Sequence, residues 1–252
     1  MDKELLSAPL DISFITADLS QYWRVSVVEL TTSTQSDLLE LVRAGDARGG
    51  DVIAAEFQSH GRGRLSRGFD APPNTALLFS LFIEPTRARI DWGWIPLIAG
   101  VCVAQVLENL DAQVKWPNDI LIGEKKICGI IAEATENGVV IGIGINVGMQ
   151  KTQVPVQNAT SLLIEGAYER SRNQLLSEFL NHFEISFRNW DYGSNAIYDI
   201  YLGMSATIGK KVRIEYPNGR FEIGLAVSIS RAGELVLENG TFVQAGDIIH
   251  LR

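Results

Sequence analysis

The sequence predicts an α/β fold in which helices cover a mixed β-sheet and a small β-barrel follows. Short β-branched runs alternate with helical segments before residue 204, a pattern typical of a sheet packed with helices. From Ala206 onward the pattern changes to short alternating strands separated by turn signals, which is typical of a small barrel. The 252 residues, 46% of them hydrophobic and 21% charged, are enough for one substantial domain and a small one.

The first half supplies three strands, a hydroxyl-rich turn and a central helix. Residues 25–30, 52–57 and 75–83 predict strands, and the turn at 31–34 leads into a helix that ends at Gly45. Asp91 is predicted to cap a long helix that runs through Leu110, with Pro96 near its first turn. Because this helix is apolar on all sides, we expect it to be buried.

The second half adds further strands and a core helix. An Asn137-Gly138 hairpin signal joins the last two of four predicted strands, which are residues 114–116, 120–122, 127–134 and 139–145. Residues 147–160 predict a loop. A stripe at helical spacing predicts a core helix, formed by Leu176, Phe179, Leu180, Phe183, Phe187 and Trp190. We place the boundary near Met204, between a domain of residues 1–203 and a barrel of residues 204–252.

Charge and composition exclude several classes of function. The net charge of −8, from 30 acidic and 22 basic residues, favours a small-molecule partner over nucleic acid. The N-terminus lacks a signal peptide and the apolar runs are too short to span a bilayer, so we expect a cytoplasmic protein without membrane contact. Cys102 and Cys128 lie in apolar runs and predict reduced core thiols, and no Cys/His spacing identifies a metal site.

Residues 61–68, Gly-Arg-Gly-Arg-Leu-Ser-Arg-Gly, form a glycine-arginine loop between two predicted strands. Glycines allow backbone N–H groups to curl around an anion, and Arg62, Arg64 and Arg67 add forked donors for phosphate or carboxylate. The alternative is a solvated basic loop. The octet alone does not decide between the two.

A second unusual run, residues 115–119, is Lys-Trp-Pro-Asn-Asp. Its proline disfavours helix at Trp116, so we expect a corner between strands that presents a cation, an amide and a carboxylate. Lys126 and Gly129 follow on the next strand, where an ammonium and open backbone can face one pocket. The alternative is a surface hairpin with solvated lysines, which we favour for Lys125 but not for Lys126.

These motifs resemble those of the biotin protein ligases, also called biotin–acetyl-CoA-carboxylase ligases. Four motifs occur in the family's order, at residues 61–64, 115–119, 126–130 and 142–146. The resemblance covers residues 25–165 strongly, and the terminal barrel agrees by pattern. It implies a class II synthetase-like catalytic domain over residues 1–203.

The resemblance implies that ATP and biotin give biotinyl-5′-adenylate and pyrophosphate, and that a lysine of a carrier domain then takes the biotinyl group. The partner would be the carrier domain of acetyl-CoA carboxylase or of another biotin-dependent carboxylase. Mg²⁺ and cations would offset the repulsion between a carboxylate and a triphosphate. Whether the chain is a monomer or a homodimer stays open.

The family's site residues carry over by position. Lys126, Arg64, Asp119 and Lys115 are the catalytic set, with Asp119 positioning or deprotonating the acceptor lysine or else pairing with Lys115. The biotin contacts would be Ser33, Thr34, Gln58, Arg62, Arg64, Lys126 and Gly129, with helix capping as a further role of Ser33 and Thr34. The adenylate contacts would be Gly61, Arg62, Gly63, Arg64, Arg67, Asn118, Lys126 and Asn146.

The sequence departs from the family's pattern at Gln35, at Leu65-Ser66 and at Phe69, where Asn, Arg-Gly and Trp are frequent. Only two dozen residues precede Val25, so we expect a monofunctional ligase without a DNA-binding domain. A lipoate or octanoyl ligase would share the fold and the adenylate chemistry. A single-strand nucleic-acid binder that uses the loop and the barrel is disfavoured by the acidic balance.

Overall fold

The computed structural model describes residues 3–64, 67–154, 158–216, 219–244 and 246–251. The chain divides into two compact units. Unit 1 comprises Met1–Pro85 and Glu124–Ile185, and unit 2 comprises Thr86–Gly123 and Ser186–Arg252. Each unit is therefore built from two separate stretches of chain. The predicted division at residue 204 stays a prediction, although the last helix of unit 2 does end at Met204.

Unit 1 contains a mixed sheet. Its strands are β1 (Arg24–Thr31), β2 (Asp51–Gln58), β3 (Ala76–Ile83), β6 (Lys125–Ala134) and β7 (Val139–Asn146). They lie in the order β1-β2-β3-β7-β6, with β1 and β2 parallel and each of the other neighbouring pairs antiparallel. Every residue of β3 and β7 is buried, which explains why both strands are continuous apolar runs in the sequence.

Helices cover both faces of this sheet. The helices of unit 1 are α1 (Ile12–Thr16), α2 (Thr34–Ala44), α4 (Leu162–Glu165) and the part of α5 (Arg172–Asp191) up to residue 185. On one face, Leu38 of α2 clusters with Phe82 and Val140. On the other face, Phe179 of α5 contacts Phe79 edge-on, with 5.2 Å between ring centroids. The predicted helix end is confirmed, because Gly45 caps α2 in the left-handed conformation at φ 78°.

Unit 2 contains the buried helix, a hairpin and the C-terminal sheet. Its elements are α3 (Ile95–Val106), β4 (Gln113–Lys115), β5 (Asp119–Ile122), α6 (Ala196–Met204), β8 (Lys211–Glu215), β9 (Phe221–Ile229), β10 (Leu235–Leu237), β11 (Phe242–Val243) and β12 (Asp247–His250). The five C-terminal strands form an antiparallel sheet in the order β11-β10-β9-β8-β12, at the place where a small barrel is predicted. Helix α3 contacts β4, β5 and α6.

The central helix is shorter than predicted. The chain forms a 3₁₀ helix over Arg89–Trp94, and the α-helix begins at Ile95, with Pro96 in its first turn. The prediction that Asp91 caps the helix is wrong, because its buried carboxylate pairs with Arg231, 3.3 Å away. The expected burial is confirmed, since ten of the twelve residues of α3 are buried.

A buried ion pair joins three parts of unit 1. The side chain of Arg172, at the start of α5, is 0% exposed, and its guanidinium lies 2.6 Å from the carboxylate of Glu56 on β2. Arg172 also donates to the carbonyl of Ala8, and Glu56 accepts from the backbone N–H of Leu10. The pair therefore fixes the chain before α1 against the sheet and α5.

Within the described residues, no helix is long and apolar enough to cross a membrane.

Candidate active site

Three glycines lie close together on one face of the unit 1 sheet. Gly129 of β6 pairs directly with Gly144 of β7, and Gly142 pairs with Ser80 of β3. Directly paired residues share a face, and so do residues two apart on a strand. We call Gly129, Gly142 and Gly144 the glycine floor. Because none of the three has a side chain, side chains from other elements approach the sheet backbone closely here: Gln35 at Gly142, Phe69 at Gly144 and Lys126 at Gly129.

A polar end borders the glycine floor at the start of α2. The Thr34 backbone N–H donates to Gln58 Oε1 at 2.7 Å, and Thr34 Oγ1 lies 3.1 Å from the same oxygen. Thr34 Oγ1 also lies 2.9 Å from Ser80 Oγ. We call Ser33, Thr34, Gln58 and Ser80 the polar end. All four are buried, so their hydrogen-bonding groups are shielded from water.

Ser33 provides a buried hydroxyl that no described residue satisfies. It occupies the N-cap position of α2, but its side chain makes no capping hydrogen bond. Its Oγ is buried and has no hydrogen-bond partner in the part of the chain that the structure describes. Leaving a buried hydroxyl unpaired costs about 1–3 kcal/mol, which a bound ligand could recover with one hydrogen bond. The capping role is therefore wrong for the Ser33 side chain, and a ligand-binding role is favoured.

A cation lies over the other end of the glycine floor. Lys126 Nζ is 3.1 Å from the position that a Cβ on Gly129 would occupy. The Lys126 backbone is fixed by a hydrogen bond from its N–H to the carbonyl of Asn158. The rows that contain Ser80 and Gly129 are two residues apart along the sheet, about 7 Å at ~3.4 Å per residue. The floor thus joins a neutral hydrogen-bonding end to an ammonium.

The glycine-arginine loop has an ordered neck beside this floor. The Gly63 N–H donates to the backbone carbonyl of Arg67 at 2.7 Å, and the Phe69 N–H donates to the backbone carbonyl of Gly61 at 2.8 Å. We call residues 61–63 and 67–69 the neck. The Phe69 ring covers Gly144, since a Cβ built there would lie 2.6 Å from its Cζ. Leu65 and Ser66 lie outside the described residues.

The neck is also bound to strand β6. Arg62 Nη1 lies 3.1 Å from Glu133 Oε1, and Arg62 Nη2 donates to Glu133 Oε2 at 3.2 Å. Gln35 Nε2 donates to the same Oε1, also at 3.1 Å. The Arg62 guanidinium is thus held by a carboxylate that is itself held by α2.

Lys115, Asn118 and Asp119 belong to unit 2, and the predicted corner between strands is confirmed. Lys115 lies opposite Asp119 in the antiparallel register of β4 and β5. The backbone N–H of Asn118 donates to the carbonyl of Lys115 at 3.1 Å. Trp116 anchors the corner because it is fully buried and its indole donates to Gly233 at 3.1 Å. The roles of Lys115, Asn118 and Asp119 in chemistry stay predictions.

Asn146 lies on the same face of β7 as Gly142 and Gly144, and its Nδ2 donates to the Thr160 carbonyl at 2.9 Å. Its contact with an adenylate stays a prediction. Burial raises the pKa of Cys102 to about 12, so this core thiol is protonated at neutral pH. Among the described residues, no group of three or more His, Cys, Asp or Glu side chains is arranged to hold a metal ion.

A separate cavity of about 910 Å³ lies in unit 2, beside the α5–α6 turn. Its walls include Trp94, Trp190, Tyr198 and the Asp91–Arg231 pair, and none of the predicted site residues is among the described residues that line it. The convergence of predicted residues therefore favours the glycine floor of unit 1 as the reaction site.

Sequence reasoning missed Ser80 and Glu133. Ser80 had a signal, because it is the single polar residue in the apolar run Ala-Leu-Leu-Phe-Ser-Leu-Phe-Ile. A fully buried hydroxyl needs a partner, and Ser80 finds it in Thr34. Glu133 had no comparable signal, since its partners Arg62 and Gln35 are 71 and 98 residues away in the sequence.

Comparison with known proteins identifies the family of the chain. The model of the biotin/lipoate A/B protein ligase family matches residues 27–150, which include the polar end and the glycine floor. The biotin–[acetyl-CoA-carboxylase] ligase of Mycobacterium tuberculosis is 35% identical over 268 aligned positions, which cover 100% of this chain and 99% of that protein. The chain belongs to the biotin protein ligase family. Membership confirms the predicted enzyme class, a ligase.

Two further comparisons find proteins of the same biotin protein ligase family. The bifunctional ligase/repressor BirA of Bacillus subtilis is 33% identical over 222 positions, which cover 83% of this chain and 68% of that protein. The structure of the Aquifex aeolicus biotin protein ligase in complex with biotin and ATP superimposes with a TM-score of 0.76. It is 24% identical and covers 91% of this chain and 99% of that one. The predicted fold class is confirmed.

Proposed function

We propose that this ligase joins biotin to ATP, forming biotinyl-5′-adenylate, and transfers the biotinyl group to one lysine of a carboxylase carrier domain. The observation that carries the proposal is the glycine floor with a hydrogen-bonding end and an ammonium end. Biotin has two matching ends, because an apolar tail joins its neutral, hydrogen-bonding ureido ring to its carboxylate. The ring would lie at the polar end and the carboxylate at Lys126.

The polar end suits a ureido group. A ureido ring offers one carbonyl acceptor and two N–H donors, and the unpaired Ser33 hydroxyl can donate to the first or accept from the second. The apolar tail would pass over Gly142 and Gly144, where bare backbone allows close approach, and we call this route the slot. The Phe69 ring covers Gly144, so it would move aside and pack against the tail when biotin binds. Biotin thereby satisfies the buried polar group and covers the floor.

In the first step, a carboxylate oxygen of biotin attacks the α-phosphorus of Mg-ATP. The bond from that phosphorus to the bridging oxygen breaks, and pyrophosphate leaves with the electron pair. Carboxylate and triphosphate repel each other, so the step needs fixed cations aimed at the charge that develops. Lys126 supplies one of these cations over the floor, and Arg64 and Arg67 of the glycine-arginine loop would supply others.

In the second step, the neutral amine of the acceptor lysine attacks the acyl carbon, and AMP leaves. The amine must lose a proton before it attacks, because an ammonium has no lone pair. Asp119 would accept that proton or position the amine. The carrier domain of acetyl-CoA carboxylase is the acceptor that the M. tuberculosis relative's name indicates.

A lipoate or octanoyl ligase would use the same adenylate chemistry but not the polar end. Those acids have no ureido group, so Ser33 Oγ would stay unpaired when they bind. A site built to hydrogen-bond its substrate discriminates strongly against an analogue that lacks the group. The orphan hydroxyl therefore favours biotin.

The proposal is tested by incubating the chain with Mg-ATP and, in separate reactions, biotin, lipoate or octanoate. Mass spectrometry should detect biotinyl-adenylate with one equivalent of pyrophosphate, and a carrier domain added afterwards should gain one biotinyl group. Formation of lipoyl- or octanoyl-adenylate in preference to biotinyl-adenylate would contradict the assignment of biotin.

Replacing Gly142 by alanine tests whether the glycine floor binds the substrate. A Cβ there would lie 2.7 Å from Gln35 Oε1 and 3.3 Å from Ser80 Oγ, so the methyl group would enter the polar end of the slot. We expect the dissociation constant for biotin, measured by calorimetry, to rise about tenfold or more, since one misplaced methylene costs about 1–3 kcal/mol.

Gly203→Ala is the matched control for this variant. Gly203 lies on α6 in unit 2, and a Cβ built on it meets no heavy atom within 4 Å. Biotin affinity should therefore be unchanged by the control. If Gly142→Ala also binds biotin at wild-type affinity, the glycine floor is not the biotin site.

A further inference from the structure

A partly exposed ion pair between Arg62 and Glu133 joins the neck of the glycine-arginine loop to strand β6. The side chains of Arg62 and Glu133 are 42% and 36% exposed. Both oxygens of the carboxylate contact the guanidinium, Oε1 contacting Nη1 and Oε2 contacting Nη2. Such a bidentate arrangement fixes the orientation of the arginine as well as its position.

The carboxylate of Glu133 is itself held in place from α2. Gln35 Nε2 donates to Glu133 Oε1 at 3.1 Å and to the Val140 carbonyl at 3.2 Å, so both amide protons of Gln35 are used. Gln35 Oε1 faces Gly142, 2.7 Å from the position of a Cβ there. One chain of contacts thus runs from the edge of the glycine floor through Gln35 and Glu133 to Arg62.

The backbone of Arg62 is part of the neck. Arg62 forms an isolated antiparallel bridge with Gly68, next to the hydrogen bonds that join Gly63 to Arg67 and Gly61 to Phe69. A side chain anchored on β6 therefore fixes the whole neck, including Phe69, whose ring covers Gly144.

We propose that Arg62 and Glu133 form a tether that fixes the neck against β6, so that Arg62 serves the adenylate as a positioning residue and not through its charge. This inference rests on the proposed function, and it gives Arg62 a different role from Arg64 and Arg67. Arg64 and Arg67 lie beyond the tethered Arg62 and would meet the phosphate. Loss of the tether would let bound adenylate escape faster.

Exchanging the two charges distinguishes a tether from direct binding of an anion. The variants are Arg62→Glu, Glu133→Arg and the double variant that carries both changes. Each single variant places like charges together, whereas the double variant restores an opposite pair. Dissociation of biotinyl-adenylate should rise about fivefold or more in each single variant, the upper range for a partly exposed pair, and return to within about twofold of wild type in the double variant.

A double variant that retains the adenylate no better than Arg62→Glu would overturn the proposal, because it would show that the ligand requires a positive charge at position 62. The neutral variant Glu133→Gln should have an intermediate effect, about two- to fivefold. The two side chains are partly exposed, so all four variants should keep the wild-type melting temperature within a few degrees.

Limited trypsin digestion tests the tether without substrate or activity. Cleavage of the ligand-free chain after Arg64 or Arg67, followed by mass spectrometry of those fragments, should accelerate in both single variants and return towards wild type in the double variant. Equal cleavage rates in all four proteins would overturn the tether. A wild-type chain that makes no biotinyl-adenylate would defeat the proposed function but leave this digestion result to be judged separately.

Discussion

Replacing Lys126 by alanine is expected to slow biotinyl-adenylate formation by about 100- to 1000-fold. Lys126 Nζ lies over Gly129, where the proposed reaction brings a carboxylate to a phosphate. Removing one preorganised charge from such a site costs about 2.7–4 kcal/mol of barrier. Biotin affinity should fall much less, because the polar end remains. Pyrophosphate release and calorimetry measure the two quantities separately.

Lys125→Ala provides the matched control, one residue away on β6. The Lys125 ammonium is exposed and pairs with Glu165 at 3.5 Å. We expect its adenylation rate to stay within about twofold of wild type, since exposed pairs contribute little. Wild-type pyrophosphate release by Lys126→Ala, or an equal loss in both variants, would remove Lys126 from the proposed chemistry.

Replacing Arg172 by methionine is expected to lower the free energy of unfolding by about 3–5 kcal/mol, the usual cost of breaking a buried ion pair. The change leaves the carboxylate of Glu56, whose side chain is 14% exposed, without its cation. It also leaves the Ala8 carbonyl without the donor that fixes the chain before α1. Chemical denaturation followed by circular dichroism measures the loss.

Two further variants separate burial from charge. Arg170→Met breaks a partly exposed pair with Glu178, at 3.1 Å, and should cost about 1 kcal/mol or less. The double change of Arg172→Met with Glu56→Leu removes both buried charges and should recover part of the loss. A cost for Arg172→Met no larger than that for Arg170→Met would contradict the account of the buried pair.

Two strands of unit 1, β3 and β7, could be predicted because their complete burial appears in the sequence as apolar runs. β3 and β7 are apolar at almost every position, and both are buried throughout. The helices were harder, since α1 and α4 have five and four residues, too few to show a period. The start of α3 was misplaced because Asp91, a good capping residue by type, instead pairs with Arg231, 140 residues later.

For the candidate site, sequence motifs predicted the ends of the slot better than its interior contacts. Ser33, Thr34 and Lys126 came from the resemblance. Lys126 lies over Gly129, and Thr34, which follows Ser33, bonds to Ser80 at the edge of the glycine floor. The bond from Thr34 to Ser80 and the Arg62–Glu133 pair join residues that are 46 and 71 positions apart. Such contacts depend on strand order and register, which no local pattern determines.

A crystal structure of the chain with biotin and a non-hydrolysable ATP analogue would show directly where the two ends of biotin bind. We expect the ureido ring to lie at the polar end and to form a hydrogen bond with Ser33 Oγ. We also expect the carboxylate to lie beside Lys126 Nζ. Biotin bound elsewhere, such as in the unit 2 cavity beside Trp94, or bound in the slot with its carboxylate far from Lys126, would contradict the account.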